Sequence, residues 1–305
     1  TISGGGNVKD VTIQWSIISE GSMEGHVEPG HSMGSLFGGA GNERMSFHHN
    51  YYTLSRDRNP RLTSGSIAWI NNVNYNNAKN FVISPESQAE VGDINLDIVN
   101  NYLKKGPITY NAGNDYLFGG PRIPIESNTP KIYLAGNKVV ESDGTEVSYY
   151  NPLNEFSLFP ANIRTVLMDN RRNDFFAEPT FPIAINTAEN ARDLVLADAG
   201  AVLPVRDDID ARLVQNFFDG TGELAYPNYY PNWPDQTIRT FEYPEMCPLT
   251  EYPQGCIYPQ DTDNDGMPNQ WELDNNLDPN DASDSSGDIN EDCYTNIENY
   301  VQTIS

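Results

Sequence analysis

The sequence predicts an all-β fold, a parallel β-helix solenoid with long loops, two short packing helices and a small C-terminal segment. Three observations predict the solenoid. Over residues 1–140, short strand-like runs alternate with polar turns, and no stretch carries the apolar period of a helix. Asparagine recurs beside those runs, in His49-Asn50-Tyr51, Asn71-Asn72-Val73, Asn100-Asn101-Tyr102 and Gly136-Asn137-Lys138. Successive Asn50, Asn72, Asn101 and Asn137 lie 22, 29 and 36 residues apart, about the length of one solenoid coil with a polar residue at one corner. Stacked amides in such coils bond along the axis and satisfy the polar groups that the turn buries. Lengthening intervals indicate loops growing on one face, the face that carries the binding surface in repeat folds.

Taken in order, the strand candidates are Val11–Ile18, Ser35–Phe37, Met45–Tyr52, Ser66–Tyr75, Asn80–Ser84, Asn95–Tyr102 and Lys131–Val140, rich in β-favouring residues. Residues 141–186 read as irregular, with Pro, Asn and aromatics. Thr187 then N-caps a helix whose apolar face is Ala191, Leu194, Val195 and Leu196, stopped by Gly200. A second helix runs from about Asp207 to Phe218 with Ile209, Leu213, Val214, Phe217 and Phe218 apolar, and Gly220 ends it. Both are short enough to need a surface to pack on, which the solenoid supplies. Residues 226–258 form a Pro- and aromatic-rich linker, read as a strap over the core. The chain therefore divides into a solenoid with packing helices (1–225), the linker (226–258) and a tail (259–305).

There are 43 acidic residues against 18 basic, a formal net charge of −25. From Phe241 onward there are fifteen Asp and Glu and no Lys or Arg. That argues against a nucleic-acid partner and for a cation such as Ca2+. No apolar run is long enough to span a bilayer, and no secretory apolar stretch is present. The chain begins at Thr1, so a processed or truncated form is expected. A Cys247–Cys256 disulfide in an oxidising compartment is expected, with Cys293 free; three unpaired thiols are the alternative.

In so acidic a chain, Arg56, Arg58 and Arg61 falling within six residues after a strand are out of character. They are either solvated loop charges holding carboxylates on a neighbouring turn or a cationic site for an anionic substrate. His48 and His49 are expected on opposite faces of one strand, the buried one a satisfied core histidine. In the tail, Asp261-Thr-Asp263-Asn-Asp265-Gly266-Met267-Pro-Asn269-Gln-Trp-Glu272 matches the calcium-loop pattern in full. Asp261, Asp263 and Asp265 converge on the ion, Gly266 permits the turn, and Met267 offers its carbonyl. Asn269 acts through water, and Glu272 closes the shell. A second, weaker loop carries Asp288, Asn290, Asp292, Tyr294 and Glu298, with Cys293 where glycine is wanted and Asn299 where glutamate is wanted. Glu298, or Asp281 and Asp284 of the connecting segment, would complete it.

Val11-Thr-Ile-Gln-Trp-Ser-Ile-Ile-Ser-Glu20, His26 to Gly34, Ser46-Phe-His-His-Asn50 and Arg58-Asn-Pro60-Arg61 resemble consecutive coils of the pectate lyase family, polysaccharide lyase family 1, in its secreted bacterial branch. Lys131 to Asn137, Ala197 to Arg212 and the calcium loops resemble its later part. The resemblance implies a right-handed parallel β-helix and calcium-assisted β-elimination of an acidic polysaccharide of the polygalacturonate type. It implies secretion, Arg58 as the base, and Arg56, Arg61, His26 and His31 lining the substrate groove. Glu28 stands where the family carries a substrate-binding lysine. Glu20 is the nearest candidate for the family's catalytic calcium, whose other ligands come from coils preceding residue 11. A missing N-terminal segment, or another chain stacked on the first coil, is therefore expected. The alternative is a catalytically silent β-helix that binds carbohydrate or assembles end to end.

Overall fold

The structure, a computed structural model, describes residues 2–4, 8–21, 31–37, 43–63, 65–83, 94–111, 118–119, 130–151, 153–174, 183–202, 206–224, 260–290, 292 and 294–303. The chain forms two compact units, residues 1–200 with 208–242, and residues 201–207 with 243–305.

The first unit is a parallel β-helix. Its strands are β1 (Ile2–Gly4), β2 (Lys9–Gln14), β3 (Ile17–Ser19), β4 (Ser35–Phe37), β5 (Glu43–His48), β6 (Tyr51–Thr53), β7 (Arg61–Leu62), β8 (Gly65–Ile70), β9 (Val73–Tyr75), β10 (Phe81–Ile83), β11 (Ile94–Val99), β12 (Tyr102–Lys104), β13 (Phe118–Gly119), β14 (Lys131–Ala135) and β15 (Lys138–Val140). They stack into three five-stranded sheets, β1-β4-β7-β10-β13 (sheet A), β2-β5-β8-β11-β14 (sheet B) and β3-β6-β9-β12-β15 (sheet C). Every paired strand is parallel, and each coil visits sheets B, C and A in turn.

Each long strand candidate is in fact two strands. The chain breaks at Trp15, His49, Asn71, Asn100 and Gly136, all at positive φ (51, 54, 54, 52 and 69°). A single left-handed residue turns the backbone from sheet B to sheet C, while the alternation of buried side chains resumes beyond it. Gly136 needs to be glycine, because a β-carbon there would collide with the Asn100 carboxamide.

The next residue carries the ladder. Ser16 N–H donates to Asn50 Oδ1 (3.1 Å), Asn50 N–H to Asn72 Oδ1 (3.0 Å), Asn72 N–H to Asn101 Oδ1 (2.8 Å), and Asn101 N–H to Asn137 Oδ1 (3.1 Å). Each Nδ2 donates back to a sheet B carbonyl, Ile13, Phe47, Trp69 and Ile98 in turn. The ladder ends on Glu155, whose carboxylate accepts from Gly136 N–H, Asn137 N–H (3.1 Å) and Asn137 Nδ2 (3.0 Å). Burial raises the Glu155 pKa, and those donors oppose the rise.

Inside the coils, Val11, Met45, Ile67, Leu96 and Ile132 stack in register, as do Ile13, Phe47, Trp69, Ile98 and Leu134. Phe37, Tyr52 and Phe81 pack against Phe47 and Trp69 with centroids 4.0–5.7 Å apart. Residues 141–186 are not wholly irregular. A 3-10 turn (Glu155–Leu158) and a helix (Ala161–Asp169) bring Phe156, Leu158, Phe159, Ile163 and Leu167 into the same core. They close the end of a stack whose apolar interior would otherwise meet water.

Besides a one-turn helix α1 (Pro107–Asn111) and that capping helix, α2, the unit has α3 (Ala188–Asp198) and α4 (Asp208–Asp219). The Thr187 side chain caps α3 by accepting from Asn190 N–H (3.3 Å). Val195 and Leu196 of α3 and Leu213 and Phe217 of α4 cover the outer face of sheet C, against Tyr51, Val73, Tyr75 and Tyr102. Lys104 Nζ donates to the Phe217 carbonyl (2.7 Å) near the C-terminus of α4, where the helix dipole favours a cation. On the outer face of sheet B, Asp97 is wholly buried beneath Arg172 (2.9 Å).

The second unit is described over 260–303, apart from residues 291 and 293, and over 201–202 and 206–207. It contains α5 (Asn269–Asp274), a 3-10 turn (Asp284–Ser286) and α6 (Asn296–Thr303). The linker 226–258, Cys247, Cys256 and Cys293 lie outside the described residues.

Candidate functional site

The arginine turn connects sheet C to sheet A, from Leu54 to Pro60. Leu54 and Arg58 both adopt left-handed φ (52 and 61°), and the Asn59–Pro60 peptide is cis. The backbone is stitched to the coil on either side. Arg56 and Asp57 N–H donate to the Ser32 carbonyl (3.1 and 3.2 Å), and Ser35 N–H to that of Arg58 (2.6 Å). Ala78 and Lys79 N–H donate to the carbonyls of Ser55 and Arg56 (3.1 and 3.0 Å), and Val82 N–H to that of Pro60 (2.9 Å). Buried Asn59 donates to the Lys79 carbonyl (2.9 Å) and accepts, at its own carbonyl, from Asn74 Nδ2 (2.6 Å). Gly34 is required opposite, because a β-carbon there would meet Asn59 Oδ1 and the Arg58 carbonyl. Such a turn is a fixed platform rather than a mobile loop.

Arg56, Arg58 and Arg61 are all half-buried. Arg61 stands in β7 between Leu36 and Val82; its neighbour Leu62 points into the core, so Arg61 alternates to the outer face. His31 is half-buried and precedes Ser32, the residue that anchors the turn. His26 lies outside the described residues.

Asp57 is a component the sequence reading passed over. It is 4% exposed, and its carboxylate accepts from Arg58 N–H (2.7 Å) and faces Lys79 Nζ (3.5 Å). Lys79 lies 22 residues on, the interval from Asn50 to Asn72, so the coil period was the signal that pointed to it.

Two expectations are corrected. Glu20 is not open to a calcium ion: Arg212 of α4 binds it through two bonds (2.9 and 2.8 Å), and the Glu20 side chain is 9% exposed. His48 and His49 do not face opposite ways. The left-handed turn at His49 puts both on the outer side of the coil, where His48 follows Ile70 in register; their Nδ1 atoms meet at 3.0 Å, while His49 Nε2 reaches Asn186 Oδ1 (2.9 Å). Burial lowers both pKa values, that of His48 to about 4.

In the second unit, carboxylate oxygens of Asp261, Asp263 and Asp265 lie within 4.8 Å of one another, as do those of Asp265, Glu272 and Asp284. Glu272 is fully buried, and burial beside Asp263 and Asp265 pushes its pKa up to about 7. Met267 is buried, its N–H donating to Asp265 Oδ1 (2.8 Å). Asn269 closes the loop through Thr262, accepting from its N–H (2.8 Å) and donating to its hydroxyl (2.6 Å).

The second loop is less convergent. Asp288 Oδ1 accepts from Asp292 N–H (3.1 Å), and Asp292 Oδ1 from Tyr294 N–H (2.9 Å). The Asn299 amide reaches Asn290 and Asp292 (3.4 and 3.3 Å). Glu298 is turned to Thr295, accepting from its N–H and hydroxyl (both 2.7 Å). Among the described residues, groups of three or more acidic, histidine or cysteine side chains close enough to share an ion occur only between Asp261 and Asp284.

No family model matches the chain. It is 26% identical over its whole length to a probable pectate lyase C of Aspergillus terreus and 28% identical to that of Aspergillus flavus. Among solved structures, it resembles a thermostable pectate lyase (18% identity, TM-score 0.44, 65% of this chain and 43% of that one). It also resembles a pectate lyase from a Bacillus species in complex with trigalacturonate (15% identity, TM-score 0.40, 64% and 50%). The chain is thus similar from end to end to fungal proteins of that name, and it spans 62% of their length.

Proposed function

We propose that the protein is an extracellular polysaccharide lyase that cleaves polygalacturonate-type glycans by β-elimination, with Arg58 as the base. The observation that carries this reading is the similarity, over the whole of this chain and 62% of theirs, to two proteins named probable pectate lyase C. The arginine turn, anchored to the coils before and after it, supports it.

The chemistry asks three things of the site. The proton on the carbon bearing the uronate carboxylate must be removed, and its electron pair must form a double bond to the neighbouring carbon. As that double bond forms, the glycosidic C–O bond on the neighbour breaks, and the departing oxygen takes a proton from solvent. The carboxylate charge opposes the first step, so cations beside it lower the barrier. Arg56 and Arg61 supply that charge and hold the carboxylate through paired N–H donors. Arg58 removes the proton from its neutral form, which cationic neighbours and desolvation favour. The opposing charge of Asp57 is held by Lys79 and by the Arg58 N–H. His31, next to the Ser32 that anchors the turn, is assigned to the same groove, and His26 to substrate binding.

A calcium ion, when bound beside the substrate carboxylate, supplies further charge neutralisation. The described residues of the β-helix do not fit such an ion, since Glu20 is taken by Arg212. The tail fits one. Asp261, Asp263, Asp265 and Glu272, with Met267 and Asn269, are its structural calcium loop. Asp288, Asn290, Asp292, Tyr294 and Glu298 form a weaker one.

The test is absorbance at the unsaturated-uronate band during incubation with polygalacturonate and Ca2+. Arg58→Ala is expected to lose at least about a hundredfold in rate, the usual worth of a positioned base. No signal from the parent on any of several uronate polymers supports instead a silent carbohydrate-binding β-helix. Equal rates for parent and variant remove Arg58 from the mechanism.

A further inference from the structure

The first calcium loop holds more unpaired charge than its own pattern requires. Six carboxylate oxygens there are buried without any hydrogen-bond donor: both of Asp263, both of Glu272, one of Asp265 and one of Asp284. Glu272 is 0% exposed. Donors occupy only the outward sides. Asn264 and Gly266 N–H bind Asp261 (2.7 and 3.1 Å), and Met267 N–H binds the other oxygen of Asp265 (2.8 Å). An anionic cluster with bare, buried oxygens costs several kcal/mol per ion unless a cation sits among them.

Asp284 comes from outside the loop. Its Oδ2 accepts from Asp278 N–H (2.9 Å), which leaves Oδ1 bare and within 4.8 Å of ligand oxygens of Asp265 and Glu272. Asp265 belongs to both acidic groups, so one ion satisfies both. We infer that Asp284 is a ligand of the first-loop ion, and not part of the second loop. This rests on the reading of residues 261–272 as a calcium loop.

The ligand set is all oxygen and strongly anionic, which suits Ca2+. The placement has a structural consequence. The Asp284 carbonyl accepts from Asn296 Nδ2 (2.8 Å) and Gly287 N–H (2.8 Å), and Asn296 N–H donates to the Gly287 carbonyl (2.7 Å). Through Asp284, the ion therefore fixes the start of α6 as well as its own loop. Trp271 and Tyr300, whose rings meet edge to face at 5.4 Å, lie on the two helices so joined.

The experiment uses the full chain, stripped with chelator. Ca2+ binding is followed by calorimetry, Tb3+ binding by tryptophan-sensitised luminescence, and order around Trp271 by near-ultraviolet circular dichroism. Glu272→Gln identifies the tight phase by abolishing it. Asp284→Asn keeps an acceptor for Asp278 N–H and is expected to weaken that phase by about tenfold or more, because affinity follows ligand charge. Its dichroism should return to the parental signal at high Ca2+. Asp281→Asn, in the same segment but turned to Ser283 (2.6 Å to its hydroxyl), should change affinity less than about twofold, since it removes no ligand charge. Parental affinity in Asp284→Asn, with Glu272→Gln silent, overturns the role of Asp284 and leaves the loop standing. An Asp284→Asn dichroism that no Ca2+ concentration restores makes the residue a structural prop and overturns it too. A parent that binds neither metal overturns the calcium loop itself.

Discussion

Removing one rung of the asparagine ladder tests whether amide stacking holds the coils in register. Asn101 is 1% exposed. Its Nδ2 donates to the Trp69 carbonyl and Asn137 Oδ1 (both 2.9 Å), and its Oδ1 accepts from Asn72 N–H (2.8 Å) and Nδ2 (3.3 Å). In Asn101→Ala, two partners keep other bonds: Asn137 Oδ1 retains Asn101 N–H, and Asn72 Nδ2 retains the Phe47 carbonyl. The Asn72 N–H is left bare in a fully buried residue, which costs about 1–3 kcal/mol. Loss of the bond to Trp69 and the small void add about 1 kcal/mol each, so the total is about 3–5 kcal/mol. That is a large share of the stability of an ordinary domain. Asn101→Asp keeps the shape and the acceptor but turns an anion on the Trp69 carbonyl and Asn137 Oδ1, so it should cost at least as much. Urea unfolding at constant m measures both. Midpoints of both variants within about 1 kcal/mol of the parent, or Asp milder than Ala, would show that the ladder decorates a register set by the apolar stacks.

Three further outcomes follow from buried charge. Arg172→Ala removes the guanidinium paired with the Asp97 carboxylate, which has no exposed side-chain surface, and should cost about 3 kcal/mol; Asp97→Asn, which removes the charge, should cost less, both read by thermal unfolding. Arg212→Ala breaks the two bonds to Glu20 and should cost about 2 kcal/mol, with faster amide exchange across Asp208–Asp219, because the ion pair ties that helix to the first coil. His48 makes stability depend on acid. Its folded pKa, about 4, lies below the unfolded value of 6.5, so above 6.5 it is neutral in both states and contributes nothing. As pH falls through that window the unfolded chain takes up a proton that the fold refuses, and stability drops by up to about 1.4 kcal/mol per pH unit. Urea midpoints for His48→Gln should therefore fall less steeply than the parent's between about pH 6.5 and 4; parallel curves would remove His48 from the account.

The solenoid was legible because its hydrogen bonds need one residue type once per coil. Asn50, Asn72, Asn101 and Asn137 could be counted, and the register follows their spacing. The break in each coil was not legible, because its left-handed residue is Trp, His, Asn or Gly with no common signature. The capping helix Ala161–Asp169 offers only Ile163 and Leu167 as buried residues, too sparse a pattern to separate from a loop. Glu20–Arg212 and Asp97–Arg172 span 192 and 75 residues and are fixed by how the covering segments fold back, which no local pattern encodes.

Pairs within the solenoid are different, and the coil period could have found them. Lys9–Glu43 and Arg44–Asp10 are 34 residues apart, as are Ser16 and Asn50. Lys79–Asp57 follows the 22-residue step, and Lys105–Glu141 the 36-residue step of Asn101 and Asn137. Parallel stacking puts each residue over its equivalent one coil away, so opposite charges at that interval meet. The same reasoning locates the extra chain. Sheets B and C advance by 34 residues from the first full coil to the next (Gln14 to His48, Ile18 to Tyr52), but sheet A advances by 25 (Leu36 to Arg61). The first coil is therefore nine residues longer between its sheet C and sheet A strands. That is the corner at which the following coil carries Arg56, Asp57 and Arg58.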